Sequence, residues 1–215
     1  MFFIAILTSL GSPVIVGSAL TDKEYPSPFP AFNVANIILN LGVTTSAYVS
    51  TMGLIPGGYA EFKVIATNAS TTTTKLNVSL DNFTVVQGSG VFAPKYGDSV
   101  IHTSNDLANA TQIAVWIDTS AGGTHTSPQA NDYSLTYSGS TATTTLLGSA
   151  AQPTFFNVNL INTNSIYWDS STVPITMLSS SNPYTIHYNI SLSTTPNNGI
   201  QGEKGTLGTS LTLHT

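Results

Sequence analysis

The side chains in this chain of 215 residues that could do chemistry are four histidines, ten carboxylates and many serines. The histidines are His102, His125, His187 and His214. A serine nucleophile would need a histidine base and an exposed elbow, yet no Gly-x-Ser-x-Gly occurs, and no His-Glu-x-x-His pair offers a zinc site. Cysteine is absent, which removes thiol catalysis, disulfides and cysteine-based zinc together. His187 falls on the polar side of an alternating segment and His214 lies next to the C-terminus, so both read as surface residues. On these grounds the chain reads as no enzyme, and no cofactor is implied. Calcium is the ion best suited to the remaining groups, because Asp98, Asp106, Asp118 and Asp132 lie near predicted loops where oxygen ligands converge. No EF-hand spacing is present, however, and no metal site is assigned. Asp22 and Glu24 sit on a short linker and read as solvated.

These residues must be positioned by strands. In Tyr59 to Thr67 the set Ala60, Phe62, Val64 and Ala66 alternates with more polar neighbours, the period of two of a half-buried strand. Leu54-Ile55-Pro56-Gly57-Gly58 before it reads as a turn, with proline pre-setting φ and glycine supplying a positive φ. From Lys75 to Asn82 the alternation is cleaner, Leu76, Val78 and Leu80 on one face against Asn77, Ser79 and Asp81. Gln112 to Asp118 is apolar on both faces and reads as a central strand, followed by a loop from Ser120 to Asn131. Alternation at Tyr133, Leu135 and Tyr137, then segments 143–147, 155–161, 173–178, 184–192 and 207–213, extend the series. No sustained helical period appears. Strands at this spacing, with Gly, Pro, Asn and Ser turns, predict an all-β sandwich.

Only 7% of residues are charged, against roughly 25% in ordinary domains. There is no arginine, and five lysines face ten acids, which argues against a nucleic-acid partner. A surface wetted by hydroxyls and amides suits an acidic medium, since few carboxylates can be lost to protonation. It also suits glycosylation. Five Asn-x-Ser/Thr acceptors occur, at Asn68, Asn77, Asn82, Asn109 and Asn189. Asn77 and Asn189 fall on the polar faces of their predicted strands and are expected to carry glycans into solvent.

The most hydrophobic stretch is Met1 to Leu20. A signal peptide is one reading, but no basic residue precedes Phe2. Gly11-Ser12-Pro13 interrupts it, leaving each apolar block shorter than the ~20 residues that span a membrane. Phe2, Phe3, Ile4, Ile6 and Leu7 form a candidate strand, and Val14, Ile15 and Val16 a second short one. Such a strand needs burial, either within its own domain or in a neighbouring subunit by strand addition. Burying about five of these side chains would contribute on the order of 10 kcal/mol gross. Residues 21–30, with three prolines, read as a stiff linker that would hold the segment away from its own domain, 31–215.

The order of an apolar segment, a Leu-x-Pro-Gly-like turn at 54–58, the strand 59–67, a Thr/Ser-rich reversal and the strand 75–82 resembles the TasA/camelysin family of secreted fibre proteins. Upstream, Asp22 to Glu24 followed by Phe32 to Leu41 resembles that family's opening. The likeness covers 22–82. It implies a jelly-roll-like β-sandwich with an extended N-terminal donor strand, polymerising when that strand completes the sheet of the next subunit, as in the related archaeal bundling pili. Some camelysin relatives are described as proteases, but no metalloprotease motif is present to carry that activity over. The expectation is thus an extracellular, glycosylated cell-surface filament of identical subunits, serving adhesion or biofilm formation. The alternative is a secreted carbohydrate-binding or adhesion module presenting Tyr133, Tyr137, Tyr167 and Trp168.

Overall fold

In the computed structural model, residues 31–40, 43–47, 52–53, 57–68, 71–86, 106–163, 165–169, 173–178, 183–194 and 204–214 are described. The candidate donor residues Phe2 to Leu7 and Val14 to Val16, the linker, Asp98 and His102 lie outside them. In chain order the elements are β1 (Ala31–Asn40), β2 (Val43–Ala47), β3 (Met52–Gly53), β4 (Tyr59–Asn68) and β5 (Thr74–Val86). Then come α1 (Asp106–Ala110), β6 (Thr111–Asp118), β7 (Tyr133–Ser138), β8 (Thr141–Leu146), β9 (Phe156–Asn157) and α2 (Asn159–Thr163). The series closes with β10 (Ile166–Trp168), β11 (Ile175–Met177), β12 (Tyr184–Leu192) and β13 (Lys204–His214).

The alternation that makes these segments strands also decides how they stack. Ala60, Phe62, Val64 and Ala66 of β4, Ile113, Val115 and Ile117 of β6, and Ile186, Tyr188 and Ile190 of β12 face inward from one sheet. That sheet runs β2-β4-β12-β6-β7-β8, with β9 added beside β6. Leu76, Val78 and Leu80 of β5 and Leu207, Leu211 and Leu213 of β13 face them from a second sheet, ordered β10-β5-β13-β1-β3, with β11 also on β5. The protein is an all-β sandwich. β6 lies between β12 and β7; Ile113, Val115 and Ile117 enter the core from one face, and on the other Trp116 is buried against His187. The apolar faces of β4 and β5 are packed into the protein's own core.

Two departures from the sequence pattern have local causes. β5 runs on to Val86 because Asp81 is a bulge: its register against β13 shifts between Gly208 and Thr209. One extra residue inverts the alternation. Leu76, Val78 and Leu80 point inward before the bulge, and Phe83 does so after it. The hydroxyls of Ser79 (2.6 Å) and Ser210 donate to the Asp81 carboxylate and fix the irregularity. Second, segment 155–161 is a two-residue strand followed by a helical turn. Asn157 Oδ1 accepts from Asn159 N at 2.8 Å, an Asx turn that competes with continued extension. In agreement with the sequence pattern, Gly57 takes up the positive φ expected of the turn, at 72°, and its N–H meets Leu192 O at 3.0 Å.

A chain of hydroxyls crosses between the sheets. Thr209 Oγ1 donates to Ser79 O at 2.7 Å, so it accepts from Tyr188 Oη at 2.9 Å. Burial pushes the Tyr188 hydroxyl far above the ordinary tyrosine range, against the pull of its bond to Thr209, so it remains a neutral donor. Trp168 Nε1 donates to Thr136 O at 2.9 Å, a second bond between the sheets. Thr209→Val strands the Tyr188 hydroxyl in the core and is expected to cost about 1–3 kcal/mol, whereas Tyr188→Phe removes a donor and should cost about 1 kcal/mol. Urea unfolding of the two variants should rank them in that order with unchanged m-values.

Candidate functional site

Asp118 ends β6 and Asp132 immediately precedes β7, so the pairing of these strands brings the two carboxylates to the base of the loop 119–132. Both are fully buried. Buried carboxylates need donors, and the loop backbone supplies them. Asp118 Oδ1 accepts from Ser120 N at 2.7 Å and its Oδ2 from His125 N at 2.8 Å. Asp132 Oδ1 accepts from Thr119 N at 3.0 Å and its Oδ2 from Gln129 N at 2.9 Å. Wrapped this way, the loop returns His125 to its own base. His125 Nδ1 lies 2.8 Å from Asp132 Oδ2 and 3.2 Å from Asp118 Oδ1.

One ligand atom from each of Asp118, His125 and Asp132 lies within 4.8 Å of the others, so this trio could hold a cation. The calcium expectation had Asp118 and Asp132 right as neighbours but omitted His125. Asp98 lies outside the described residues, as does the side chain of Asp106.

His187 lies beside this trio and corrects a sequence expectation. It is wholly buried, not a surface residue. β12 places it opposite Trp116 of β6 and Lys63 of β4, and the Trp116 ring stacks on it at a centroid distance of 3.7 Å. Its Nδ1 lies 2.7 Å from Glu61 Oε1, and Lys63 Nζ lies 3.1 Å from Glu61 Oε2. Burial raises the affinity of Glu61 for a proton, but the hydrogen bond and charge of His187, with those of Lys63, outweigh it and hold the carboxyl below its usual value. On its other side His187 Nε2 faces Asp118 Oδ2 at 3.9 Å. The run Lys63, Glu61, His187, Asp118, His125, Asp132 is therefore continuous across three strands and a loop.

Of the five glycosylation acceptors, burial separates two groups. Asn68, Asn77 and Asn189 are enclosed. Asn68 Nδ2 donates to Thr72 O (2.8 Å) and Met177 O (3.0 Å), and Asn77 Nδ2 donates to Tyr167 Oη. Asn77 and Asn189 are buried, so the expectation that they carry glycans into solvent is corrected. Strand alternation failed here because both faces of β5 and β12 are covered. Asn82 and Asn109 are exposed. The candidate aromatic platform is likewise divided, with Tyr133 and Trp168 buried and Tyr167 half exposed. His214, at the end of β13, meets Asn77 Oδ1 through Nε2 at 3.3 Å.

No family model and no curated protein matches this chain. Among solved structures it is similar to one titled "AvmM Catalyzes Macrocyclization in Alchivemycin A Biosynthesis", at 9% identity and a TM-score of 0.28, over 82% of this chain and 90% of that one. That title names an enzyme, and the expectation of a chain without catalysis, drawn from missing motifs alone, is withdrawn. At this TM-score the likeness argues for no particular reaction.

Two outcomes follow for the site. Gly123 has φ 62°, and a Cβ there would overlap Thr185 Oγ1 and lie 2.9 Å from Thr185 Cβ. Gly123→Ala is therefore expected to lift the loop from β12 and cost about 1–3 kcal/mol, read as a fall in melting temperature with faster amide exchange at His125. For Glu61, a folded-state value below the unfolded one means that its stabilisation is full above the ordinary carboxylate range and is lost as pH falls through the folded value. Glu61→Gln should thus be less stable than the parent near neutrality and converge with it well below about pH 4, measured by urea unfolding without added metal ions.

Proposed function

We propose that this chain is a structural subunit of an extracellular filament, joined to its neighbour by the apolar strand in residues 1–20. The observation that carries this reading is the edge of β1. β13 pairs with it from Ala31 to Asn40, with one irregularity after Ala35, while β3 covers only Ala31 and Phe32 on the other side. Among the described residues, the rest of that edge has no second strand beside it. An unpaired row of backbone groups is a template for an added strand. The segment with the most apolar strand-forming side chains, Phe2 to Leu7, lies in the same chain just upstream. The intervening prolines at 26, 28 and 30 stiffen the linker and disfavour a turn back onto the same sheet. The resemblance of residues 22–82 to the TasA/camelysin fibre proteins points the same way, as does a surface poor in charge.

In this reading identical subunits are the partners, and the cell surface is the setting. Asn82 and Asn109 are the acceptors left for glycans. The test is electron microscopy and size-exclusion chromatography of the intact chain beside a full-length Ile4→Asp/Ile6→Asp variant. Long fibres from the first and monomers from the second are expected. A monomeric parent, or a variant that polymerises equally, overturns the reading.

A further inference from the structure

We propose that Asp118, His125, Asp132 and His187 form a binding site for a divalent transition-metal ion of the zinc type, with Glu61 as the positioning residue for His187. Glu61 Oε2 lies 3.1 Å from the Lys63 ammonium, an ion pair in which the carboxylate oxygens only accept. His187 Nδ1, 2.7 Å from Glu61 Oε1, must therefore carry the proton of that bond. In the neutral ring this leaves Nε2 as a bare lone pair. That atom is fully enclosed, has no hydrogen-bond partner, and faces Asp118 Oδ2 at 3.9 Å. Two acceptors then confront one another with no donor between them. Protonating Nε2 would give an ion pair with Asp118 but no hydrogen bond, because 3.9 Å is beyond hydrogen-bond length.

The second half of the site has the same shortage. His125 Nδ1 faces two carboxylate oxygens, at 2.8 and 3.2 Å, and has at most one proton to share between them. Each of these oxygens already accepts one backbone N–H and retains a lone pair. A cation satisfies nitrogens and oxygens together where one proton cannot.

The donor set chooses the ion. Calcium takes oxygen ligands alone, whereas two imidazoles with carboxylates suit zinc and its first-row neighbours. Glu61 receiving the far N–H of His187 is the carboxylate–histidine arrangement that supports metal-bound imidazoles. Both aspartates are also pre-oriented by backbone donors and already lie with His125 within 4.8 Å of one another, so His187 is the ligand that must close when an ion arrives.

The experiment uses the full chain stripped with a chelator and titrated with Zn²⁺ by calorimetry and thermal melting, with Ca²⁺ as the comparison. Stoichiometric Zn²⁺ binding with a raised melting temperature is expected, without a matching response to Ca²⁺. His125→Gln, on the partly exposed ligand, should abolish it, and Glu61→Gln should weaken it about 10–100-fold. Long-range proton–nitrogen NMR of the unsubstituted protein gives a test that does not depend on variant folding. Zn²⁺ should shift His125 Nδ1 and His187 Nε2. No binding by about 1 mM Zn²⁺, where the free energy is only about −4 kcal/mol, overturns the proposal. So does unaltered binding by His125→Gln, or a shift confined to His102 and His214.

Discussion

A carboxylate taken out of water must be satisfied by the protein around it, and Asp118 and Asp132 are both taken out completely. Their four oxygens determine the path of the chain between β6 and β7. Thr119, Ser120, His125 and Gln129 each turn a backbone N–H toward them, which leaves the loop little choice of conformation. The loop then covers the end of its sheet closely enough for Gly123 to rest on Thr185. The loop itself stays largely at the surface, while the two carboxylates at its base and His187 beside them are buried. Removing either carboxylate would leave a set of backbone donors pointing at nothing.

The strands were legible because alternation is a local property. Tyr184 to Leu192 reads as a strand from its residues alone and is one, as does 111–118 in its central place between two neighbours. Legibility stopped where the period changed or where a second layer covered the expected outside. Asp81 hides the second half of β5, because a single inserted residue makes one long strand look like a strand and a loop. Asn77 and Asn189 occupy outward positions in the pattern, yet nothing in the pattern says that the outward face is itself covered. The site was half legible. Asp118 and Asp132 could be named as loop-base carboxylates, and His125 stands seven residues from each, at the middle of the loop. His187 and Glu61 come from strands remote in sequence, and only the register of β12 against β4 and β6 brings them in.

The scarcity of charge takes on a different meaning beside this arrangement. Ten acids are few for a chain of this length, and three of them, Glu61, Asp118 and Asp132, are buried within one connected run of side chains. Hydroxyls and amides do much of the work elsewhere, as in the Tyr188–Thr209–Ser79 bonds across the core. Protonation of Glu61, the member whose carboxyl is held below its usual value, therefore acts on a buried and connected corner of the sandwich. A low overall charge does not by itself make a fold indifferent to protons.

The position of β13 has a consequence for timing. It lies between β5 and β1, parallel to β1 and antiparallel to β5, so it joins the first described strand to the middle of the chain. Neither β1 nor β5 can complete its inner pairing until residues 204–214 have been synthesised, and contacts of such long sequence separation make folding slow. Until then the chain emerging from the ribosome has a sheet divided in two and an open core. The element that locks the sandwich is thus the last of the described strands to emerge.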